Sequence, residues 1–190
     1  MRLHRKGWAF GATALAASLV FSPAFPGAAA GPAKAELSLA AGFPKGRETG
    51  YPVPRFVTLK AAKAHMRVGP SIDHPTVWVY SARGLPMEII EEYGNWRRVR
   101  DPEGTTGWMF APLLSGRRTA VVGPWVKQTI ALRAAPSPNA RIVARLSAKV
   151  RLDLSDCDRK WCKVSLQKSP LSGFIEQNSL WGVYPGEMVN

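Results

Sequence analysis

The feature that most constrains the fold of this chain is an internal repeat. Residues 94–114 contain two short apolar runs, each led by a tryptophan, around one polar turn. A stretch of the same design recurs at 160–180, at an offset of 66 that becomes 65 in the middle. Self-similarity at a fixed offset is typical of repeated structural units. The sequence therefore predicts two small domains with one fold.

The residue pattern within each repeat is that of short β-strands. From residue 55 onward, runs rich in Val, Ile, Thr, Trp and Tyr are interrupted about every 8 to 12 residues by Gly, Pro, Asp or Asn, which is typical of small all-β domains. A loop with two prolines, residues 69–75, cannot belong to a central strand. In the first repeat the predicted strands are 56–59, 64–68, 77–80, 85–91, 96–100 and 106–110.

The N-terminal residues 1–30 have the composition of an export signal. Basic residues precede an uncharged, alanine-rich run at 9–25, and three alanines follow at 28–30. The run is too short for a bilayer span, which needs about 20 strongly apolar residues. We predict a secretory signal peptide over 1–30, cleaved before Gly31, with an uncleaved anchor as the alternative. The mature protein is then expected to be periplasmic or secreted.

Residues 31–54 are rich in Gly, Pro, Ala and Lys. Such a composition does not support a packed core, and the alternating prolines favour an extended path, so we predict a flexible linker. The repeat then places the two domains at 55–116 and 117–185. Trp125 and the segment 181–184 lie outside the repeat and are assigned to capping or to the contact between the domains.

The mature chain is basic. Without the signal peptide it has 23 Lys and Arg against 13 Asp and Glu, a net charge of +10. An exported basic protein meets anionic envelope components, whereas nucleic acid is scarce there, so we predict no nucleic-acid partner. The charges are scattered, which favours a diffuse field over one patch. They provide either weak contact with an anionic envelope surface or solubility alone.

Two cysteines, Cys157 and Cys162, are predicted to form a disulfide. The repeat aligns them with the two strands of the hairpin that turns at 93–95 in the first domain. Residues that face each other across a hairpin come within disulfide reach. An oxidising compartment favours the bridge over the alternative of two free thiols.

Groups that could carry catalysis are few. Beyond the signal peptide the histidines are His65 and His74, and neither lies in a catalytic motif. Ser137 and Ser155 lack the context of an activated nucleophile. No further cysteine or well-spaced histidine completes a zinc site. The sequence therefore predicts a protein that is not an enzyme and has no metal or cofactor.

Three motifs of the first repeat carry a family resemblance: Arg67-Val68-Gly69-Pro70-Ser71, Gly94-Asn95-Trp96 and Gly107-Trp108. Together they resemble the bacterial Src-homology-3-like (SH3-like) domain, and about 56–184 is similar to exported two-domain SH3-like proteins of Gram-negative bacteria. The second repeat departs from the pattern at Ala134-Ala135 and at Phe174. The resemblance implies an all-β fold of two tandem small SH3-like β-barrels, each a strongly bent barrel of five or six strands. It also implies a binding or targeting role, often toward peptidoglycan or peptides.

Aromatic side chains of the first domain form a candidate ligand groove between the 69–76 loop and the 93–95 turn. In an SH3-like arrangement, groove aromatics hold an extended peptide by stacking and apolar contact. Two acids at the edge could pair with a cationic or amide-rich ligand. The same aromatics are also candidates for the core. The candidate groove residues are Trp78, Tyr80, Tyr93, Trp96, Asp73 and Glu91.

The leading hypothesis is a non-catalytic periplasmic protein that binds peptidoglycan or an extended peptide of the cell envelope. The alternative is a scaffold that docks an exported enzyme or an envelope complex through the region of Trp125 and Trp181. In a third hypothesis the positive charge holds the protein on an anionic envelope surface. No oligomeric state follows from the sequence.

Overall fold

The computed structural model describes residues 42–190. This part of the chain is built from strands and two short 3₁₀ turns, with no α-helix among the described residues, which confirms the all-β class. No helix within 42–190 has the length and hydropathy of a membrane span. The predicted signal peptide and residues 31–41 of the predicted linker lie outside the described residues.

The first repeat forms a seven-stranded sheet in the order β3-β2-β6-β5-β4-β1-β7, and neighbouring strands run antiparallel. A 3₁₀ turn at Ala111–Leu113 leads into the last strand. The strands are β1 (Arg55–Leu59), β2 (Ala64–Arg67), β3 (Thr76–Tyr80), β4 (Pro86–Tyr93), β5 (Trp96–Arg100), β6 (Thr106–Phe110) and β7 (Leu114–Ser115).

The second repeat forms an eight-stranded sheet whose main path, β10-β9-β13-β12-β11-β8-β14, has the same order as the first sheet. Its extra strand, β15, pairs with β11. The shared order confirms the tandem repeat. The resemblance implies five or six strands in each barrel, but the first sheet has seven and the second has eight, because the short strands β7, β14 and β15 are added. The strands are β8 (Thr119–Val122), β9 (Ile130–Arg133), β10 (Ile142–Leu146), β11 (Arg151–Asp158), β12 (Trp161–Leu166), β13 (Ser172–Glu176), β14 (Leu180–Trp181) and β15 (Met188–Val189), with a 3₁₀ turn at Gln177–Ser179.

Each barrel has a hydrophobic core of its own. In β5 and β6, buried and more exposed residues alternate, because successive side chains of a strand point to opposite faces of the sheet. The fully buried members of the first core include Leu59, Met66, Met87, Val99 and Met109. Those of the second include Leu132, Leu152, Val164 and Ile175.

Cys157 and Cys162 form the predicted disulfide. They pair directly across β11 and β12, and both side chains are buried. The repeat offset places this pair where the first barrel has Glu92 opposite Arg97. The same buried position of the hairpin is therefore closed by a covalent bridge in one barrel and by charged side chains in the other.

Reduction of the disulfide is expected to lower the free energy of unfolding by about 2 kcal/mol, since the bridge closes only a short loop. Urea denaturation with and without a reductant measures this change. A variant with both Cys157→Ala and Cys162→Ala is the control, and its stability should not respond to the reductant. An equal response of the two proteins would show that the reductant acts elsewhere.

Residues 42–54 of the predicted linker do not form a free linker, because they are bound to the first barrel. The Glu92 carboxylate accepts hydrogen bonds from the backbone N–H groups of Glu48 and Thr49, each at 3.0 Å, and from the Thr49 hydroxyl at 2.7 Å. Arg55 donates to the same carboxylate at 2.7 Å. Gly46 lies so close to Glu92 that a side chain there would overlap it. We call residues 42–54 the N-terminal segment.

The two barrels contact each other through aromatic rings and buried hydrogen bonds. Phe56 of the first barrel packs against Trp181 and Tyr184, with ring centroids 5.0 and 4.6 Å apart. The hydroxyls of Thr58 and Thr119 lie 2.8 Å apart in a buried position. Segment 181–184 thus lies at the inter-domain contact, one of its two predicted roles.

Candidate functional site

Four aromatic side chains of the first barrel share the outer surface of β4, β5 and β6. Register places Tyr93 opposite Trp96, and Trp96 opposite Phe110, while Arg97 and Met109, which alternate with these residues, are buried on the opposite face of the sheet. We call the surface formed by Tyr93, Trp96, Trp108 and Phe110 the aromatic face.

The rings of the aromatic face contact one another and remain open to solvent. Tyr93 meets Trp108 edge to face at a centroid distance of 6.5 Å, and Trp96 lies 5.7 Å from Phe110. Tyr93 is 55% exposed and Phe110 is 39% exposed, whereas the two tryptophans are half-buried. Large apolar rings that are exposed together are typical of binding surfaces.

Charged side chains border the aromatic face. Arg98 and Glu91 form an ion pair at 3.3 Å, and each side chain is 45% exposed. Arg67 lies opposite Trp108 and donates to the carbonyl oxygen of His74 at 2.7 Å. This bond fixes the 69–75 loop beside the face. The loop and the face together form an amphipathic surface with donors and acceptors at its edge.

Tyr80 is not a groove residue. Its ring is 6% exposed, and its hydroxyl donates to Asp101 at 2.8 Å inside the first barrel. Burial and this contact with the carboxylate raise the pKa of the Tyr80 hydroxyl. A ring that is buried in the core cannot stack on a ligand.

Trp78 is exposed but lies on a different surface from Tyr93. It pairs with Met66, whose side chain points into the barrel, and its ring lies 6.4 Å from that of Tyr80. Its strand β3 is four positions from β4 in the order of the sheet. The structure therefore does not bring Trp78 into one groove with Tyr93 and Trp96.

Asp73 and Glu91 take separate places at the border. Asp73 lies exposed in the 69–75 loop, where it accepts a hydrogen bond from the Ser71 hydroxyl at 2.9 Å. Glu91 is opposite Arg98 on the outer surface of β4 and β5. Of the candidate groove residues, Tyr93, Trp96 and Glu91 thus share one surface, and Asp73 lies in the loop beside it.

The second barrel has only half of the aromatic face. Trp161 and Phe174 correspond to Trp96 and Trp108, and both are half-buried. The counterpart of Tyr93 is Asp158, whose carboxylate caps the hairpin turn by accepting the backbone N–H groups of residues 160 and 161. These bonds lower the pKa of Asp158. Glu176 stands where the first barrel has Phe110, so the full face is a property of the first barrel.

A second concave surface, which the sequence patterns do not predict, lies between the barrels. This inter-barrel cleft, with a volume of about 650 Å³, is lined by β1, the end of β7, the N-terminal segment and residues of the C-terminal region. Its aromatic walls are Phe43, Phe56 and Tyr184, and the ring centroid of Tyr184 lies 5.0 Å from that of Phe43 and 4.6 Å from that of Phe56. The one sequence signal for it was the aromatic segment 181–184 outside the repeat.

No group of three or more His, Cys, Asp or Glu side chains within residues 42–190 is arranged to hold a metal ion. The two cysteines are joined to each other, so neither offers a free thiol.

Comparisons with known proteins agree with the repeat. The bacterial SH3 domain family matches the chain twice, at residues 60–116 and 126–182. No curated protein sequence matches the chain at a significant level.

Two solved structures are similar to the chain at low identity. An NlpC/P60 family protein from Bacillus cereus is 15% identical, with a TM-score of 0.30, and the match covers 66% of this chain and 55% of that protein. NlpC1 from Trichomonas vaginalis is 12% identical, with a TM-score of 0.32, and the match covers 71% of this chain and 48% of that protein. The chain spans about half the length of the structures it matches.

Proposed function

The chain belongs to the bacterial SH3 domain family, and from this premise we propose that it is a non-catalytic binding protein that recognises peptidoglycan or an extended peptide of the cell envelope. The observation that carries the proposal is the aromatic face of the first barrel. Four rings lie side by side on three adjacent strands, with an ion pair and a loop at their border.

The aromatic face suits an extended, amide-rich ligand. Tyrosine and tryptophan rings offer apolar area at a low cost in side-chain entropy, and the Tyr hydroxyl and Trp N–H can bond to amides or sugar hydroxyls at the rim. The Arg98 and Glu91 side chains are both partly exposed, so each can exchange its partner for a polar group of the ligand. Such a surface binds without supplying a nucleophile or a general base.

Export to the periplasm is part of this proposal. The basic N-terminus, the apolar run at 9–25 and the alanines at 28–30 support a signal peptide. The disulfide also suits an oxidising compartment, where such bridges persist.

The scaffold alternative is less well supported. Trp181 is half-buried against Phe56, so this ring already serves the contact between the barrels. Trp125 remains available for a partner protein, since it is 53% exposed. One exposed ring is a smaller apolar surface than the four rings of the aromatic face.

The proposal is tested by co-sedimentation of the purified protein with peptidoglycan sacculi and by titration with soluble muropeptides. Tyr93→Ala and Trp96→Ala are each expected to weaken binding about tenfold, which corresponds to a loss of about 1.4 kcal/mol. Tyr93→Ala is the sharper variant, because its exposed ring contributes little to the core.

Trp161→Ala is the matched control, since Trp161 has the same place in the second barrel as Trp96 in the first. It should bind as the unchanged protein does. Absence of binding to sacculi and muropeptides would contradict the proposal, and so would equal losses in the two tryptophan variants. Binding that disappears between about 50 and about 300 mM salt, with the aromatic variants unaffected, would instead support the anionic-surface hypothesis.

A further inference from the structure

The second barrel carries most of the positive charge of the protein. Residues 117–190 have twelve Lys and Arg against five Asp and Glu, a net charge of +7, whereas residues 31–116 have eleven against eight, a net charge of +3. In the first barrel the arginines of β5 are paired with glutamates of β4. In the second barrel no Lys or Arg of residues 130–146 or of β12 forms an ion pair within residues 42–190. The excess charge is therefore carried in part by cations that have no anionic partner.

Two of these cations lie on the outer surface of the second sheet, one on each side of Phe174. Register places Arg133 of β9 opposite Phe174, and Phe174 opposite Lys163 of β12. Leu132 and Cys162, which precede the two cations in their strands, are buried. Because successive side chains of a strand point to opposite faces, Arg133 and Lys163 point outward.

Two arginines extend this surface to β10, the strand at the edge of the sheet. Arg145 is opposite Ala131, which lies two positions before Arg133 and so has the same outward direction. Arg141 precedes Ile142, and Ile142 is opposite Arg133. Both arginines are exposed. We call the surface formed by Arg133, Arg141, Arg145 and Lys163 the cationic face.

Two acids lie on the same outer surface and do not neutralise the cationic face. Asp156 is opposite Lys163, but the two side chains form no ion pair. Glu176 is opposite Trp161, one pair further along the strands. Four cations thus face two acids, and the two arginines on the side of β10 have neither acid as a strand neighbour.

The cationic face is a property of the second barrel. The offset of 66 places Pro75 and Val79 of the first barrel where the second barrel has Arg141 and Arg145. The edge strand β3 of the first barrel, Thr76–Tyr80, therefore has no charged residue. Each barrel thus has a surface of its own chemistry, aromatic in the first and cationic in the second.

The shape and composition of the cationic face suit a charged lipid surface. Neighbouring strands lie about 4.8 Å apart, so the four strands from β10 to β12 spread the charges over roughly 15 Å. Ile142, which is 39% exposed, and the half-buried Phe174 lie among the cations. Cations around an exposed apolar residue fit the boundary between anionic headgroups and acyl chains. A soluble polyanion would leave Ile142 in water.

We propose that the cationic face of the second barrel binds an anionic lipid surface through its phosphate groups. Arginine and lysine pair with phosphate, and the exposed Arg141 and Arg145 supply donors that no described residue occupies with an ion pair. Ile142 enters the headgroup layer beside them. This second ligand is independent of the aromatic face, so one chain can bind a lipid surface with one barrel and the ligand of the proposed function with the other.

The test is co-sedimentation of the purified protein with lipid vesicles at about 150 mM salt. The probe is a vesicle of phosphatidylcholine with about 30% phosphatidylglycerol, and a vesicle of phosphatidylcholine alone is its uncharged match. The protein is expected to bind the anionic vesicles and to leave the neutral ones. Each basic residue near an anionic surface strengthens binding about fivefold, so the double variant Arg141→Gln and Arg145→Gln should bind about twentyfold more weakly.

The double variant Lys60→Gln and Lys63→Gln is the matched control. Both lysines are exposed, form no ion pair and belong to the first barrel, so this variant loses the same net charge at another place. Its binding to anionic vesicles should fall by no more than about twofold. The thermal unfolding of both double variants should match that of the unchanged protein, since the replaced side chains are exposed.

Three results would overturn the inference. These are no binding to anionic vesicles, equal losses in the two double variants, which would indicate a diffuse field, or tighter binding to soluble inorganic polyphosphate than to vesicles at equal phosphate concentration. Tyr93→Ala should bind the vesicles normally, and the double arginine variant should bind muropeptides normally. Loss of muropeptide binding in Tyr93→Ala thus reports on the aromatic face alone, and loss of vesicle binding in the arginine variant reports on the cationic face alone.

Discussion

Replacement of Glu92 by glutamine is expected to lower the free energy of unfolding at neutral pH by on the order of 3 kcal/mol. The Glu92 side chain is 1% exposed and accepts hydrogen bonds from Glu48, Thr49 and Arg55. Burial alone would raise the pKa of its carboxyl group, but the bonds from Thr49, Arg55 and Glu48 outweigh burial and lower the pKa to about 2. Glutamine has nearly the same size, yet it leaves Arg55 without an anion.

Glu91→Gln is the matched control for this variant. Glu91 is adjacent in the same strand, but its side chain is 45% exposed and pairs with Arg98 at 3.3 Å. Exposed pairs contribute little, so the change should stay within about 1 kcal/mol. Urea denaturation measures both variants, and limited proteolysis should show cleavage within residues 42–54 only in Glu92→Gln. Equal losses of stability in the two variants would show that the burial of Glu92 is unimportant.

The pH dependence of stability gives an independent check on Glu92. Its pKa in the folded protein, about 2, lies below its ordinary value of 4.5. The carboxylate therefore stabilises the folded state fully above about pH 5, and this stabilisation is lost as the pH falls from about 4.5 to about 2. The free energy of unfolding, measured by urea denaturation between pH 7 and pH 2, should fall more steeply for the unchanged protein than for Glu92→Gln. The variant has no carboxyl group to titrate at this position.

Much of the fold could be predicted from the sequence, because it rests on local patterns. The alternation of apolar and polar residues around Trp96 and Trp108 predicts strands, and the repeat predicts that both barrels share one strand order. The disulfide followed from aligning Cys157 and Cys162 with a hairpin whose register was already implied. These inferences require only short-range rules and a comparison of the chain with itself.

The attachment of the N-terminal segment could not be predicted from local composition. Residues 42–54 have no apolar periodicity, and the groups that hold them come from Glu92, about 40 residues later in the chain. A glutamate in a strand is usually taken as exposed. The repeat did contain a signal, since Glu92 aligns with Cys157, and a disulfide position is usually buried.

The candidate site was predicted only in part, for a geometric reason. The sequence predicts that Tyr93 and Trp96 lie close together, because they flank one tight turn, and the two residues pair across the hairpin. Tyr80 was assigned to the groove because its sequence position is near the loop, whereas its side chain has the inward direction within β3. The inter-barrel cleft had no local signal, since Phe43, Phe56 and Tyr184 are far apart in the sequence.

Gly173→Ala is expected to be as destabilising as the loss of the Glu92 charge, at about 3 kcal/mol. A Cβ at Gly173 would overlap the backbone carbonyl oxygen of Arg133 and approach Leu132 to 3.0 Å. The oxygen belongs to β9, which pairs with β13 at this point, so it cannot rotate away as a side chain would. Strands β9 and β13 must therefore separate, which opens the second barrel between them.

The same substitution at two other glycines orders the expected losses: Gly107 has the matching position in the first barrel, and Gly116 lies in open space. At Gly107 the closest atoms are those of the flexible Met66 side chain, and the Arg67 oxygen follows at 2.9 Å, so Gly107→Ala should cost less, about 1 to 2 kcal/mol. Gly116→Ala meets no atom within 4 Å and should be nearly neutral. Urea denaturation of the three variants measures the order. If Gly116→Ala proved as harmful as Gly173→Ala, close strand approach would not be the cause of the losses, because the lower flexibility of alanine in the unfolded chain can only add stability.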